Sequence, residues 1–252
     1  MATSAYDLHV QKLRSDAQDA RQQGGATKIN QANTLYIPSR RQFFSGYSAP
    51  KTESDVNCSA CTAAAIARTR TQKPEWNTQT VNQSTGFSGR DVFIDWRRAT
   101  EGGVHTDLPA TAGKSDKDLQ DQVDGLAEWC CRTLGVKRKR MIGNAKSPVA
   151  STFALSWMKA QDDGTLFAVY VFRGLFTAHD VLAHWIYAEK HDGNLRFVDY
   201  QTDKAEVQGS TPAESTAPMK PGGQAIDGTY QMIVIAFLPD QGSKPLTGGR
   251  LI

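Results

Sequence analysis

Long apolar runs are missing from this sequence: no stretch approaches the eighteen or more consecutive apolar residues of a membrane-spanning helix. The opening residues, Met1 to Leu8, also lack the basic and apolar parts of a secretory leader. These absences predict a chain made in a cytoplasm without a signal peptide and working away from membranes. Net charge is scarce too, at +3 with 29 Lys and Arg against 26 Asp and Glu, so the basic footprint of a nucleic-acid binder is absent. The single basic run, Lys137-Arg138-Lys139-Arg140, follows an expected helix and reads as its solvated exit. Cysteine is sparse: four in 252 residues, two of them adjacent, which makes no disulfide framework for a chain this long. Adjacent Cys130 and Cys131 are poor substitutes for a second Cys-x-x-Cys knuckle. A zinc site joining them to Cys58 and Cys61 is therefore disfavoured, and no metal or cofactor is expected.

What is present suffices for a folded body, since 39% hydrophobic residues over this length can bury one substantial core. Residues 1–45 read as a helical and linker segment: Tyr6, Val10 and Leu13 recur at helical spacing, and Gln22 to Ala32 is polar and Gly-containing. Residues 46–252 read as the main domain. From Pro74 to Lys114, Asn, Thr, Gly and Ser dominate and predict mostly loop, with Phe93-Ile94-Asp95-Trp96 as an isolated apolar patch. Ser115-Asp116-Lys117-Asp118 resembles a capping box, and Leu119, Val123, Leu126, Ala127, Cys130 and Leu134 follow at helical spacing until Gly135. Cys130 should face the core and Cys131 lie off that stripe. Ser147-Pro148 predicts the start of another helix, through Phe153, Leu155, Trp157 and Met158 to about Ala160, closed by Gly164. Thr165 to Phe172 and Tyr230 to Leu238 are near-continuous apolar runs, hence strands buried on both faces. Gly209 to Gly228 reads as a long surface loop. Helices followed by an antiparallel sheet make the fold class α+β.

The segment from His184 to Asp199 reads as a β-hairpin. Asp192-Gly193 is a type I′ turn signal between alternating strands rich in aromatic and β-branched residues. Centring the turn there pairs Glu189 with Arg196, Ala188 with Phe197, Tyr187 with Val198 and Trp185 with Tyr200, each a sensible cross-strand contact. In that register His184, Ile186, Asp199 and Gln201 share a face. Gln201 lies opposite the histidine, and Asp199 lies diagonal to it at a Cβ separation of about 7 Å, so either can hold the ring. A slip of one residue would send ring and carboxylate to opposite faces. His179 is close enough in sequence to line the same cleft, whereas His9, His105 and His191 sit in polar segments or at the turn. A His and an Asp on one hairpin are common in proteins without catalysis, so a second feature has to decide.

That feature is Asn57-Cys58-Ser59-Ala60-Cys61, which opens an Ala-rich stretch ending in Arg68 and Arg70. Alanine favours helix, Asn57 and Ser59 suit the N-cap, the arginines suit the negative end of the helix dipole, and Lys73-Pro74 stops the run. A cysteine at a helix N-terminus is where a thiolate is favoured. A buried structural pair and a redox pair also fit Cys-x-x-Cys, but the turn-rich residues before Cys58 give no strand for a thioredoxin-like setting. A nucleophilic cysteine served by a distant histidine and an orienting carboxylate fits better.

These residues, with Ala183-His184-Trp185 and Phe197-Val198-Asp199-Tyr200-Gln201-Thr202, resemble the papain-fold toxin and protein-glutaminase group of bacterial cysteine enzymes. The likeness covers roughly residues 55 to 71 and 164 to 204; the Asp-x-Gln-Thr ending joined to the hairpin is its more distinctive half. It implies a papain-like fold, with the nucleophile helix packed on an antiparallel sheet and residues 46–252 as the catalytic domain. It makes His184 the general base and Asp199 its orienting group, with Gln201 as an alternative orienting residue. Cys61 is preferred as nucleophile because it falls inside the first helical turn. Cys58 is the alternative, and Asn57 a candidate oxyanion donor. Papain-like proteases carry a Gln shortly before the nucleophile where this chain has Asp55, which weighs against proteolysis.

The implied chemistry is acyl transfer through a thioester, with deamidation of glutamine, proteolysis or transglutamination as outcomes that depend on what leaves and what attacks. The resemblance also implies a protein substrate, a bacterial effector or toxin delivered from the cytoplasm into a target or host cell, and an immunity or secretion-system partner. Two other readings stand beside it: a peptidoglycan amidase or endopeptidase, and a non-catalytic binding protein with a papain-like shell.

Overall fold

The computed structural model describes residues 8, 29–30, 57–89, 91–101, 116–177, 180–201, 207–209, 212 and 230–240, with backbone alone for 173–177, 180–183 and 207–209. The expected boundary at residue 45, residues 4–22 apart from Leu8, most of the 209–228 loop, and His9, His105 and His179 lie outside the described residues. The chain forms two compact units, residues 1–128 and 129–252, and the division falls inside a helix. Among the described residues no helix is long and apolar enough to cross a membrane.

Four helices are described in or across the first unit. Helix α1 is Cys58–Thr71, and every side chain from Ser59 to Thr69 is buried. Small Ala and Thr residues let neighbours approach it from all sides, which explains an unbroken buried stretch without an amphipathic stripe. Its carboxyl end is tied down by Arg68, whose Nε and Nη2 donate to the Trp76 carbonyl at 3.1 and 2.8 Å. Helix α2, Thr78–Thr85, and helix α3, Val92–Thr100, interrupt the stretch from Pro74 to Lys114 expected to be mostly loop, of which residues 90 and 102–114 lie outside the described residues. Asn77 caps α2 with a reciprocal bond to Thr80, and Val81, Val92, Phe93 and Ile94 are buried, so local capping and core contacts override weak helix propensity. Helix α4, Asp116–Leu134, follows the expected stripe, with Cys130 fully buried and Cys131 partly exposed. Arg97 and Arg98 of α3 bond Asp124, Asp118 and Asp121 of α4 at 2.8 to 3.0 Å.

Among its described residues, the second unit contains a seven-stranded antiparallel sheet, one whole helix and the end of α4. Its strands are β1 (Lys139–Ile142), β2 (Val149–Ala150), β3 (Leu166–Thr177), β4 (Asp180–His191), β5 (Asn194–Asp199), β6 (Val207–Gly209) and β7 (Gln231–Phe237). Their order is β1-β7-β3-β4-β5-β6, with β2 also on β7. Lys139 and Arg140 therefore belong to an edge strand, not a helix exit. Charges there discourage pairing with a further strand. Helix α5, Ser151–Lys159, starts three residues later than Pro148 suggested. Val149 and Ala150 are held extended against Met232 and Gln231, and the Ser151 N–H donates to the Tyr230 carbonyl at 3.0 Å, so sheet pairing displaces the expected helix start. Ala154 and Met158 point inward, while Phe153 is exposed.

One sheet face forms the core with α5: Phe167, Val169 and Val171; Ile186 and Ala188; Leu195 and Phe197; Met232, Val234 and Ala236. Fully burying each large side chain there contributes about 1.5 to 3 kcal/mol. The central strands are buried on their other face too, where Tyr170 meets Trp185 edge-on at 4.9 Å. This matches the two near-continuous apolar runs. The described architecture is thus α+β, a helix cluster and an antiparallel sheet.

Candidate functional site

The hairpin that carries the histidine has the expected register: Tyr187 faces Val198, Ala188 faces Phe197 and Glu189 faces Arg196. Asp192 and Gly193 have φ of 49° and 77°, both positive as a type I′ turn requires. The Glu189 to Arg196 pair closes at 2.8 Å. Counting on from that register sets His184 and Asp199 on the core face, where β3 brings Val171 alongside His184.

His184 and Asp199 are 3% and 1% exposed, and Nε2 of the ring lies 2.8 Å from Oδ2 of the carboxylate. The second oxygen, Oδ1, accepts the backbone N–H of Gln201 at 3.0 Å. Gln201 therefore braces the carboxylate through its main chain, and it is Asp199 that holds the ring. An ionised carboxylate only accepts, so Nε2 is the donating nitrogen and the neutral ring carries its lone pair on Nδ1. Burial of two polar groups is tolerable because each answers the other.

At the start of α1, Asn57 is the N-cap residue, but its side chain makes no capping bond. Its Oδ1 instead accepts the thiol of Cys61 at 3.5 Å, and its Nδ2 donates to Oδ1 of Asn30 at 2.9 Å. All three residues are buried. Cys61 is the fourth residue of the helix, its N–H closing the first turn on the Asn57 carbonyl at 3.0 Å. Cys58 is the first helical residue, and Ser59 lies inside the helix and is not its cap. None of the four cysteines is in a disulfide. Burial pushes the Cys130 thiol well above its ordinary range, helped by Cys131 and opposed by Lys139, which marks it as an inert core residue.

Asn30 is the participant that sequence reasoning missed. It sits 27 residues before Asn57 in a polar segment read as linker, and no local pattern ties one asparagine to another at that distance. Among the described residues, no group of three or more His, Cys, Asp or Glu is arranged to hold a metal ion. No family model and no curated protein matches this chain.

Proposed function

We propose that this chain is a cysteine-dependent amidohydrolase of papain-like fold, acting on protein amides as a bacterial effector or toxin, with glutamine deamidation as its reaction. In this proposal the Cys61 thiol gives its proton to Nδ1 of His184, and the sulfur attacks the side-chain carboxamide carbon. The carbonyl electrons move onto oxygen, which N–H groups at the start of α1 stabilise. As the tetrahedral intermediate collapses, the carbon–nitrogen bond breaks and His184 returns the proton to the departing ammonia. Water, deprotonated by His184, then cleaves the thioester to a carboxylic acid and restores the thiol.

The observation that carries the reading is the buried 2.8 Å contact between His184 and Asp199, which fixes the ring with its lone pair on Nδ1 and stabilises the imidazolium that forms. The Cys61 thiol at the start of a buried helix supplies the kind of nucleophile such a base serves. The test is intact-mass analysis of a mixture of bacterial and eukaryotic cytosolic proteins incubated with the chain, with Cys61→Ala and with Cys58→Ala. The mass gain of amide-to-acid conversion, lost only in Cys61→Ala, supports the proposal. Fragments in place of mass gain would make it a protease, and loss only in Cys58→Ala would move the nucleophile.

A further inference from the structure

Two asparagines in the first unit stand at helix N-caps and behave differently. Asn77 does what an N-cap asparagine ordinarily does, its side chain accepting the N–H groups of Gln79 and Thr80 at 2.9 and 3.1 Å. Asn57 forgoes that bond, and its amide is spent on Cys61 at one end and Asn30 at the other. The arrangement leaves the start of α1 without the side-chain cap that an asparagine at this position ordinarily supplies.

The residues that supply Asn30 are themselves anchored. The Ile29 carbonyl accepts the Thr78 N–H at the first residue of α2 at 3.0 Å, and Ile29 and Asn30 are 5% and 4% exposed. Asn30 is therefore held by its own backbone neighbour and offers a fixed acceptor to Asn57. An amide that donates through nitrogen is polarised and accepts more strongly through oxygen. The carbonyl end is then the end that faces sulfur.

We infer that Asn30 is a positioning residue for Cys61: by holding Nδ2 of Asn57 it fixes the carbonyl of that amide on the thiol proton and so sets the direction of the S–H bond in the resting protein. The inference rests on Cys61 being the nucleophile for its catalytic meaning, but the geometry is measurable without turnover. It gives Asn30 a direct role at the thiol, through a relay of two side chains.

The test is the S–H stretching band in Raman spectra of the full chain, with the Cys61 band isolated by subtracting the spectrum of Cys61→Ala. A hydrogen-bonded thiol absorbs at lower wavenumber. Asn30→Leu keeps the branched shape and deletes the acceptor, and its Cys61 band should move to higher wavenumber. Asn30→Asp keeps an acceptor on Nδ2, and its band should stay in place or move lower. Asn57→Ala removes the acceptor of the thiol proton and should move the band upward as Asn30→Leu does. A band unchanged in folded Asn30→Leu, or moved upward in Asn30→Asp, would overturn the inference, since the residue would then act through packing alone. A Cys61→Ala chain that still hydrolyses amides would overturn the catalytic reading and leave the Raman result standing on its own.

Discussion

Asp199 lies diagonally across the β4–β5 ladder from His184, and its Oδ2 approaches the imidazole Nε2 to 2.8 Å while Oδ1 takes the Gln201 N–H at 3.0 Å. Both carboxylate oxygens are thus committed before any substrate arrives. A buried ring held in this way has one tautomer and one orientation, the requirement for a base that must receive a proton from a fixed direction.

Asp199→Asn separates charge from shape. The amide oxygen can still accept from Gln201, but its nitrogen presents a donor to Nε2 and drives the ring to carry its hydrogen on Nδ1. The proposed amide hydrolysis should fall on the order of a thousandfold or more with little change in the urea midpoint. A variant with native turnover would show that the pair serves stability alone.

Gly193 has φ of 77°, and a Cβ there would meet nothing within 4 Å. Any effect of Gly193→Ala must therefore come from the left-handed backbone, at a cost of about 1 kcal/mol. Equilibrium urea unfolding should show that loss, and the hairpin register, which the Glu189 to Arg196 and Ala188 to Phe197 pairs also hold, should survive it.

Gly125 poses the opposite problem. It sits within α4, where alanine is ordinarily the better residue, yet an added Cβ would collide with the Phe93 carbonyl of α3. Backbone cannot swing aside as a long side chain can. Gly125→Ala should lower stability by about 1 to 3 kcal/mol despite the gain in helix propensity, as a lower denaturation midpoint.

Ser59 lies within α1, fully buried, and its hydroxyl makes no hydrogen bond among the described residues. Ser59→Ala removes an unsatisfied polar group and adds helix propensity, so the variant should be more stable by about 1 kcal/mol and retain the chemistry of Cys61. A destabilised variant would reveal a partner for that hydroxyl.

The hairpin was legible because its information is local. Asp192-Gly193 sets the turn, period-two alternation sets the faces, and one-residue precision follows from both, which is why Asp199 could be placed beside His184 from sequence. The buried strands β3 and β7 and the helix carrying Cys61 announced themselves in the same way. Helices α2 and α3 did not, because the Thr and Asn residues of α2 and the β-branched and aromatic residues of α3 are weaker helix formers, and the Asn77–Thr80 box pairs residues other than the usual Ser or Thr with Glu. Pro148 misled because Val149 and Ala150 gain more from pairing with β7 than from joining α5. Asn30 was invisible since its partner is distant in sequence and chemistry at that separation is a property of the fold.

The proposed activation of Cys61 by His184 can be read from site-resolved alkylation by 2-chloroacetamide, a small carboxamide electrophile. Peptide mass spectrometry at neutral pH should find Cys61 labelled fastest of the four cysteines and Cys130 slowest, since burial keeps Cys130 protonated. In His184→Ala, labelling of Cys61 should fall by about tenfold or more while Cys131 is unchanged. Labelling of Cys61 no faster than Cys131, or unaffected by loss of the imidazole, would contradict the account.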